Sequence, residues 1–158
     1  MSRRSKAIEK YLRNKELLSS IDQGSLPCGW RLHDTILYRT PREGYHSSKV
    51  MAIDFDNTLK HGGERWELSS LRIPEALARF RHDQGFKLCI FTNQSSAGRM
   101  VDEQALLMDL HSLIRNSRFD SFLLWVDSSC RDDLGVYVFA ALARGDLPSG
   151  YDGYRKPE

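Results

Sequence analysis

Apolar and polar positions follow two periods along this chain, and their succession predicts strand, helix, strand, helix. Val50-Met51-Ala52-Ile53 is an unbroken apolar run with the side chains of a buried, central strand, expected over residues 49–53. Residues 73–84 carry Ala76, Leu77 and Phe80 at helical spacing, with Pro74 in the first turn and Gly85 as a stop. Residues 87–92 read as a second buried strand. Asp102 caps a helix reaching about residue 116, with Leu106, Leu107, Leu110, Leu113 and Ile114 facing inward. The stretch 119–133 is ambiguous and leans to helix, and 136–141 is a third strand rich in β-branched and aromatic residues. Earlier in the chain, Trp30, Leu32, Ile36 and Tyr38 alternate as one strand over 30–38, ended by Pro41 and Gly44. The expected fold is α/β: a three-layer, Rossmann-like parallel sheet with helices on both faces.

Residues 5–19 interleave Ile8, Tyr11, Leu12 and Leu18 with Lys and Arg, the pattern of a peripheral helix with a solvated basic face. A basic targeting segment is the alternative, although Glu9 and Glu16 speak against a transit peptide. The expected organisation is a basic extension over 1–24 and one main domain over 25–158.

The composition leaves this picture intact. At 158 residues, 41% hydrophobic and 28% charged, the chain has enough material for one globular core. A net charge of +2 permits a polyanionic partner without requiring one. No stretch is apolar enough to cross a membrane, and the first residues lead into a charged segment rather than a secretory signal. Cys28, Cys89 and Cys130 form no pair at close spacing and are expected as reduced thiols of an intracellular protein. The five His show no zinc-ligand spacing.

The chemistry begins where the first central strand ends, at Asp54-Phe55-Asp56-Asn57-Thr58. Packing asks for no carboxylates there, because buried charge is costly unless paired. In open α/β sheets, ligands bind beyond the carboxyl ends of the strands. Paired carboxylates there suit Mg²⁺, which takes one or two of them plus substrate phosphates. One Asp can then attack phosphorus while the other exchanges protons with the leaving oxygen and with water. An acidic surface turn is the plainer reading.

A second strand ends in Thr92-Asn93-Gln94-Ser95, small polar groups before Gly98 and a helix. Thr92 suits a phosphate oxygen, with Asn93 shaping the loop; a polar helix cap is the alternative. The third piece is Tyr154-Arg155-Lys156-Pro157, where an ammonium held before Pro could neutralise a phosphoryl group in transfer, or simply form a basic tail.

The three pieces in this order resemble the haloacid dehalogenase superfamily of phosphatases. The runs from Val50 to Leu59 and from Phe86 to Gln94, with Gly98-Arg99 and Tyr154-Arg155-Lys156-Pro157, look like its polynucleotide kinase 3′-phosphatase branch. Gly29-Trp30, Trp66 and Ile73-Pro74 fit that branch too. The resemblance implies a HAD-like fold with Asp54 as nucleophile and Mg²⁺ ligand, and Asp56 as acid–base and second ligand through its backbone carbonyl. Thr58 would brace the loop, Thr92 and Asn93 would hold phosphate, and Lys156 would stabilise transferred charge. Arg99 and Trp66 would contact substrate, Trp66 stacking on a terminal base or packing down on the protein. The implied substrate is a DNA 3′-phosphate end (nick, gap or single strand), cleared to a 3′-hydroxyl in strand-break repair. The implied setting is the nucleus, with the mitochondrion as alternative, and possible company includes repair scaffold proteins.

The match has departures. Asn57 stands where the family usually carries Gly, a mild change because Asn tolerates left-handed backbone. The family's fourth motif, with further metal carboxylates, would follow Lys156-Pro157. The chain ends at Glu158, which implies a fold incomplete on its C-terminal side, weak Mg²⁺ binding and slow turnover. Asp132-Asp133 precede the third strand and read as a solvated turn. No G-x-x-x-x-G-K-[ST] string occurs, so no ATP site is expected. Arg72, Arg79, Arg81, Arg99, Arg115 and Arg118 are interleaved with acids and read as solvated helix faces. Two other functions remain open: a small-molecule phosphatase of the histidinol-phosphate type, and a non-catalytic relative acting as a binding or assembly module.

Overall fold

Ser2 opens the first helix by accepting a hydrogen bond from the Ser5 N–H at 3.1 Å. In this computed structural model, which describes residues 1–61, 68–94, 97–117, 119–129, 134–142 and 147, that helix is α1 (Arg3–Ser19). Its buried positions are Ala7, Tyr11 and Leu18. Leu18 and then Ile21 enter the main hydrophobic cluster, and the Asn14 side-chain amide donates to the Gly98 carbonyl. The basic extension is therefore packed onto the body.

The predicted strand over 30–38 is two strands, β1 (Trp30–His33) and β2 (Ile36–Arg39), joined by a tight turn at Asp34-Thr35. Asp34 takes φ +50°, which Asp tolerates better than most residues. The reversal resets the parity of the inward face. Trp30 and Leu32 are buried before the turn and Leu37 after it, while Ile36 and Tyr38 are only half-buried. Alternation read straight through the turn could not show this.

The remaining strands are β3 (Val50–Ile53), β4 (Lys87–Asn93) and β5 (Tyr137–Ala141), and the sheet order is β1-β2-β5-β4-β3. β3, β4 and β5 are parallel, whereas β2 pairs with β5 and with β1 antiparallel. The sheet is thus mixed, not wholly parallel, because the hairpin adds an antiparallel flank. β3 lies at the edge of the described sheet, not at its centre, and Val50 is 51% exposed.

The connecting helices are α2 (Ile73–Ala78), α3 (Glu103–Ser112) and α4 (Phe119–Ser129). Pro74 sits in the first turn of α2, wider turns continue through Arg79–Asp83, and Gly85 at φ +71° ends the run. Asp102 caps α3 through the Ala105 N–H at 2.8 Å, and wider turns follow over Leu113–Ser117. Leu88, Ile90, Val138 and Ala140 on one sheet face share a single core with Leu18, Leu77, Leu106 and Phe122, one from each helix. The other face carries exposed Val50, Ala52 and Phe91. Among the described residues, then, the helices cover one face rather than both. The steps β3→β4→β5 run in one direction across the sheet, and the right-handed crossover usual between parallel strands then puts their helices on the same side.

On the open face Phe91, Phe139 and Tyr38 are stacked cross-strand neighbours, with centroids 5.1 and 6.3 Å apart. Cys28 and Cys89 are free thiols, and burial pushes the Cys89 thiol up despite the opposing pull of Lys87. No helix among the described residues is long and apolar enough to cross a membrane.

Candidate active site

Phe55 fixes the loop that leaves β3. Its ring is fully buried against Phe119 at 4.9 Å and Phe122 at 5.5 Å. Its carbonyl accepts from the N–H groups of Leu59 at 3.0 Å and Lys60 at 3.2 Å, which curls the chain back over the strand end. With Phe55 held inward, the residues on either side point away from the core. Asp54 is exposed, and its Oδ1 accepts the Phe55 N–H at 2.9 Å; Asp56 keeps 31% of its side chain exposed.

The curl requires φ +60° at Asn57, inside the left-handed region. Asn57→Gly is expected to leave stability within about 0.5 kcal/mol, since Gly's easier backbone is offset by its greater chain entropy. A β-branched side chain is a true outlier there, and Asn57→Val is expected to cost about 2 kcal/mol. Urea denaturation of the two variants reads the difference.

β4 ends beside this loop. Ile53 pairs with Ile90 in parallel register, so Asp54 leaves the sheet level with Phe91, one residue before Thr92. Thr92 and Gln94 are both buried. The Gln94 Nε2 donates to Asp56 Oδ2 at 2.8 Å and to Thr92 Oγ1 at 2.9 Å. A carboxylate can only accept, so the amide orientation is fixed by Asp56. Thr92 Oγ1 accepts from the amide, and a hydroxyl that accepts keeps its O–H as a donor. Gln94 is itself held by its N–H on the Ala141 carbonyl at 2.8 Å.

On the other side of Asp56 lies a fully buried lysine. Lys60 Nζ is 3.7 Å from Asp56 Oδ1 and donates to the His61 carbonyl at 2.6 Å. Each Asp56 oxygen thus has its own neighbour, an amide on one and an ammonium near the other. Neither Gln94 nor Lys60 was assigned a role from the sequence. Gln94 stood inside a motif but gave no sign of its bridge. Lys60 carried only one clue, its place four residues after Asp56.

Of the residues singled out in the sequence, Asp56 and Thr92 are linked through one side chain, and Asp54 adjoins them in the chain. Asn93 is half-buried at the end of β4, paired with Ala141. Thr58 is exposed, and its contribution to the loop is through the main chain, with its carbonyl accepting from the Ser69 hydroxyl. Arg99 is exposed and lines a groove against α1. Trp66, Lys156 and the Asp132-Asp133 pair lie outside the described residues.

Comparison with known proteins matches residues 49–158 to the family model described as polynucleotide kinase 3 phosphatase. The chain belongs to that family. A curated relative, the polynucleotide 3′-phosphatase ZDP of Arabidopsis thaliana, is 30% identical over 137 residues, covering 82% of this chain. The chain spans 18% of that relative's length. The family match begins at the residue before β3, and so includes the whole Asp54–Asp56 loop and β4 while leaving α1 and the hairpin outside.

The donor set fits Mg²⁺. Among the described residues no group of three or more His, Cys, Asp and Glu gathers as a metal cage. Mg²⁺ does not need one, since one or two carboxylates, waters and substrate phosphate oxygens satisfy it. Asp54, exposed at the strand end, and the Asp56 backbone carbonyl are the residues that would hold it.

Proposed function

We propose that this chain is a Mg²⁺-dependent phosphatase that removes the phosphate from DNA 3′ ends. The carrying observation is the Gln94 amide, which ties the Asp56 carboxylate to the Thr92 hydroxyl at the carboxyl ends of two adjacent parallel strands. Asp54 attacks phosphorus, forming an acyl–phosphate bond as the bond to the 3′-oxygen breaks. Asp56, as a carboxylic acid, gives the leaving 3′-oxygen its proton and is left as a carboxylate, with Gln94 donating to one oxygen and the Lys60 ammonium near the other. In the second half, that carboxylate takes a proton from water, whose oxygen attacks phosphorus and frees phosphate and Asp54. Thr92 donates its O–H to a phosphate oxygen throughout. Mg²⁺, when bound, would offset the repulsion between the Asp54 carboxylate and the negatively charged phosphate, letting the two approach. The biological setting proposed is strand-break repair in the nucleus, where a cleared 3′-hydroxyl can be extended or ligated.

The test offers the chain a 3′-phosphorylated oligonucleotide, the same strand phosphorylated at its 5′ end, and histidinol phosphate, each with Mg²⁺. The 3′-phosphorylated strand is expected to release phosphate with a kcat/KM at least about tenfold above either alternative, a difference of about 1.4 kcal/mol in transition-state binding. Equal rates on histidinol phosphate would replace the polynucleotide reading with a small-molecule one. Binding of nicked DNA without phosphate release from any of the three would leave a non-catalytic module.

A further inference from the structure

A groove with a volume of about 700 Å³ lies away from the Asp54 loop, between α1 and the segment 99–101. Its cations are Lys10 and Arg13 from α1 and Arg99 from the facing segment. Between them lie Tyr11, Met100 and Val101, the last two exposed at 46% and 94%. One carboxylate, Glu16, shares the wall, so cations predominate three to one.

Three features place this groove on the catalytic side of the molecule. Segment 99–101 belongs to the connection that leaves the carboxyl end of β4 and precedes α3, and β3 ends at the same side of the sheet. Arg99 follows Gln94 by five residues, a reach of at most about 18 Å. Gly98, directly before Arg99, is held from both directions: its carbonyl accepts from Asn14 of α1, and its N–H donates to Asp109 of α3 at 2.7 Å. The groove's edge is thus pinned to α1 and α3 within the connection that follows β4 in the chain. At a spacing of about 3.4 Å per nucleotide along a stacked strand, it begins within about five nucleotides of the reacting phosphate.

We infer that this groove is the path of the single strand leading to the 3′ end, with phosphodiesters on Lys10, Arg13 and Arg99 and sugar or base surfaces on the exposed Met100 and Val101. A positively charged channel with apolar or aromatic platforms is how proteins follow single strands without reading sequence. Arg13 is paired with Glu9 across an exposed helical turn, a type of contact worth little, so a phosphate can displace it. The assignment deepens the proposed function and rests on it for the strand's polarity. It also gives α1, which lies outside the family match, a share in the substrate site.

Binding of a fluorescent 12-nucleotide strand ending in a 3′-hydroxyl, followed by anisotropy across a salt series, tests the groove without using catalysis. The Lys10→Glu/Arg13→Glu double variant is expected to bind about tenfold or more weakly, with its log–log salt slope reduced by between about one and two. Arg3→Glu/Arg4→Glu, on the same helix with the same charge change but outside the groove, is expected to stay within about twofold of the unaltered chain. Matching circular dichroism of both variants controls for folding. Equal weakening by the two variants, or none by the first, would overturn the groove assignment. So would a preference for blunt duplex over the single strand. Failure of phosphate release from the 3′-phosphorylated strand, with the binding differences intact, would instead count against the phosphatase reading alone.

Discussion

Asp54→Asn is expected to reduce phosphate release from a 3′-phosphorylated oligonucleotide by about 10⁴-fold while leaving KM within a few-fold. The asparagine keeps an oxygen where the carboxylate accepts the Phe55 N–H, so the loop geometry is retained. What it loses is the charge and nucleophilicity that the proposed acyl–phosphate step requires. The variant should therefore melt within about two degrees of the unaltered chain, a stability change well under 1 kcal/mol. Single-turnover measurement of released phosphate, with the melting curve beside it, separates chemistry from folding. Activity within tenfold of the starting value would assign the nucleophile elsewhere. Stability lost together with activity would make Asp54 a structural residue first.

That Asp54 and Asp56 stood at a strand end was legible because a chain-local pattern announces it: an apolar run, then two acids. The same is true of the Gly85 stop and the Asp102 cap, where one side chain meets one backbone requirement a few residues away. Asn57 belongs with them, since its departure from Gly was read as tolerable and the residue does take positive φ. What was not legible depended on partners distant in sequence. The run Val50-Met51-Ala52-Ile53 is apolar enough for a sheet centre, yet the described sheet puts it at an edge, and no property of four residues states how many neighbours they have. The hairpin escaped because Asp34-Thr35 carries no glycine to mark the turn. Lys60 escaped because lysine is almost never fully buried, so its default reading is solvent. Only the curl around the Phe55 carbonyl brings it under Asp56. Gln94 is the sharpest case: it stands in a motif whose strand end suits a phosphate oxygen, but its bridge spans residues 38 apart in sequence.

Phe55 shows how the core and the site share one residue, and its removal should be felt in both. Phe55→Ala is expected to lower the unfolding free energy by about 4 kcal/mol, the usual cost of deleting a fully buried aromatic ring. Part of that cost is apolar area returned to water, and part is the cavity left facing Phe119 and Phe122, which α4 holds in place. For a domain with about 5–15 kcal/mol to lose, this is a large share of total stability. Phe55→Leu, which refills much of the space, should cost about 1–2 kcal/mol. The functional effect should exceed what unfolding explains. The ring is the only side chain between Asp54 and Asp56, and without it the curl through the Phe55 carbonyl loses its anchor. In the fraction that remains folded, kcat for the Ala variant should fall by about 10²-fold, as misplacement of about 1 Å can do. Urea unfolding by fluorescence, with rates corrected for the folded fraction, measures both effects. A Phe55→Ala loss below about 1.5 kcal/mol would show that the ring does not anchor the core, and a corrected kcat equal to that of the unaltered chain would show that the two carboxylates hold their positions without it.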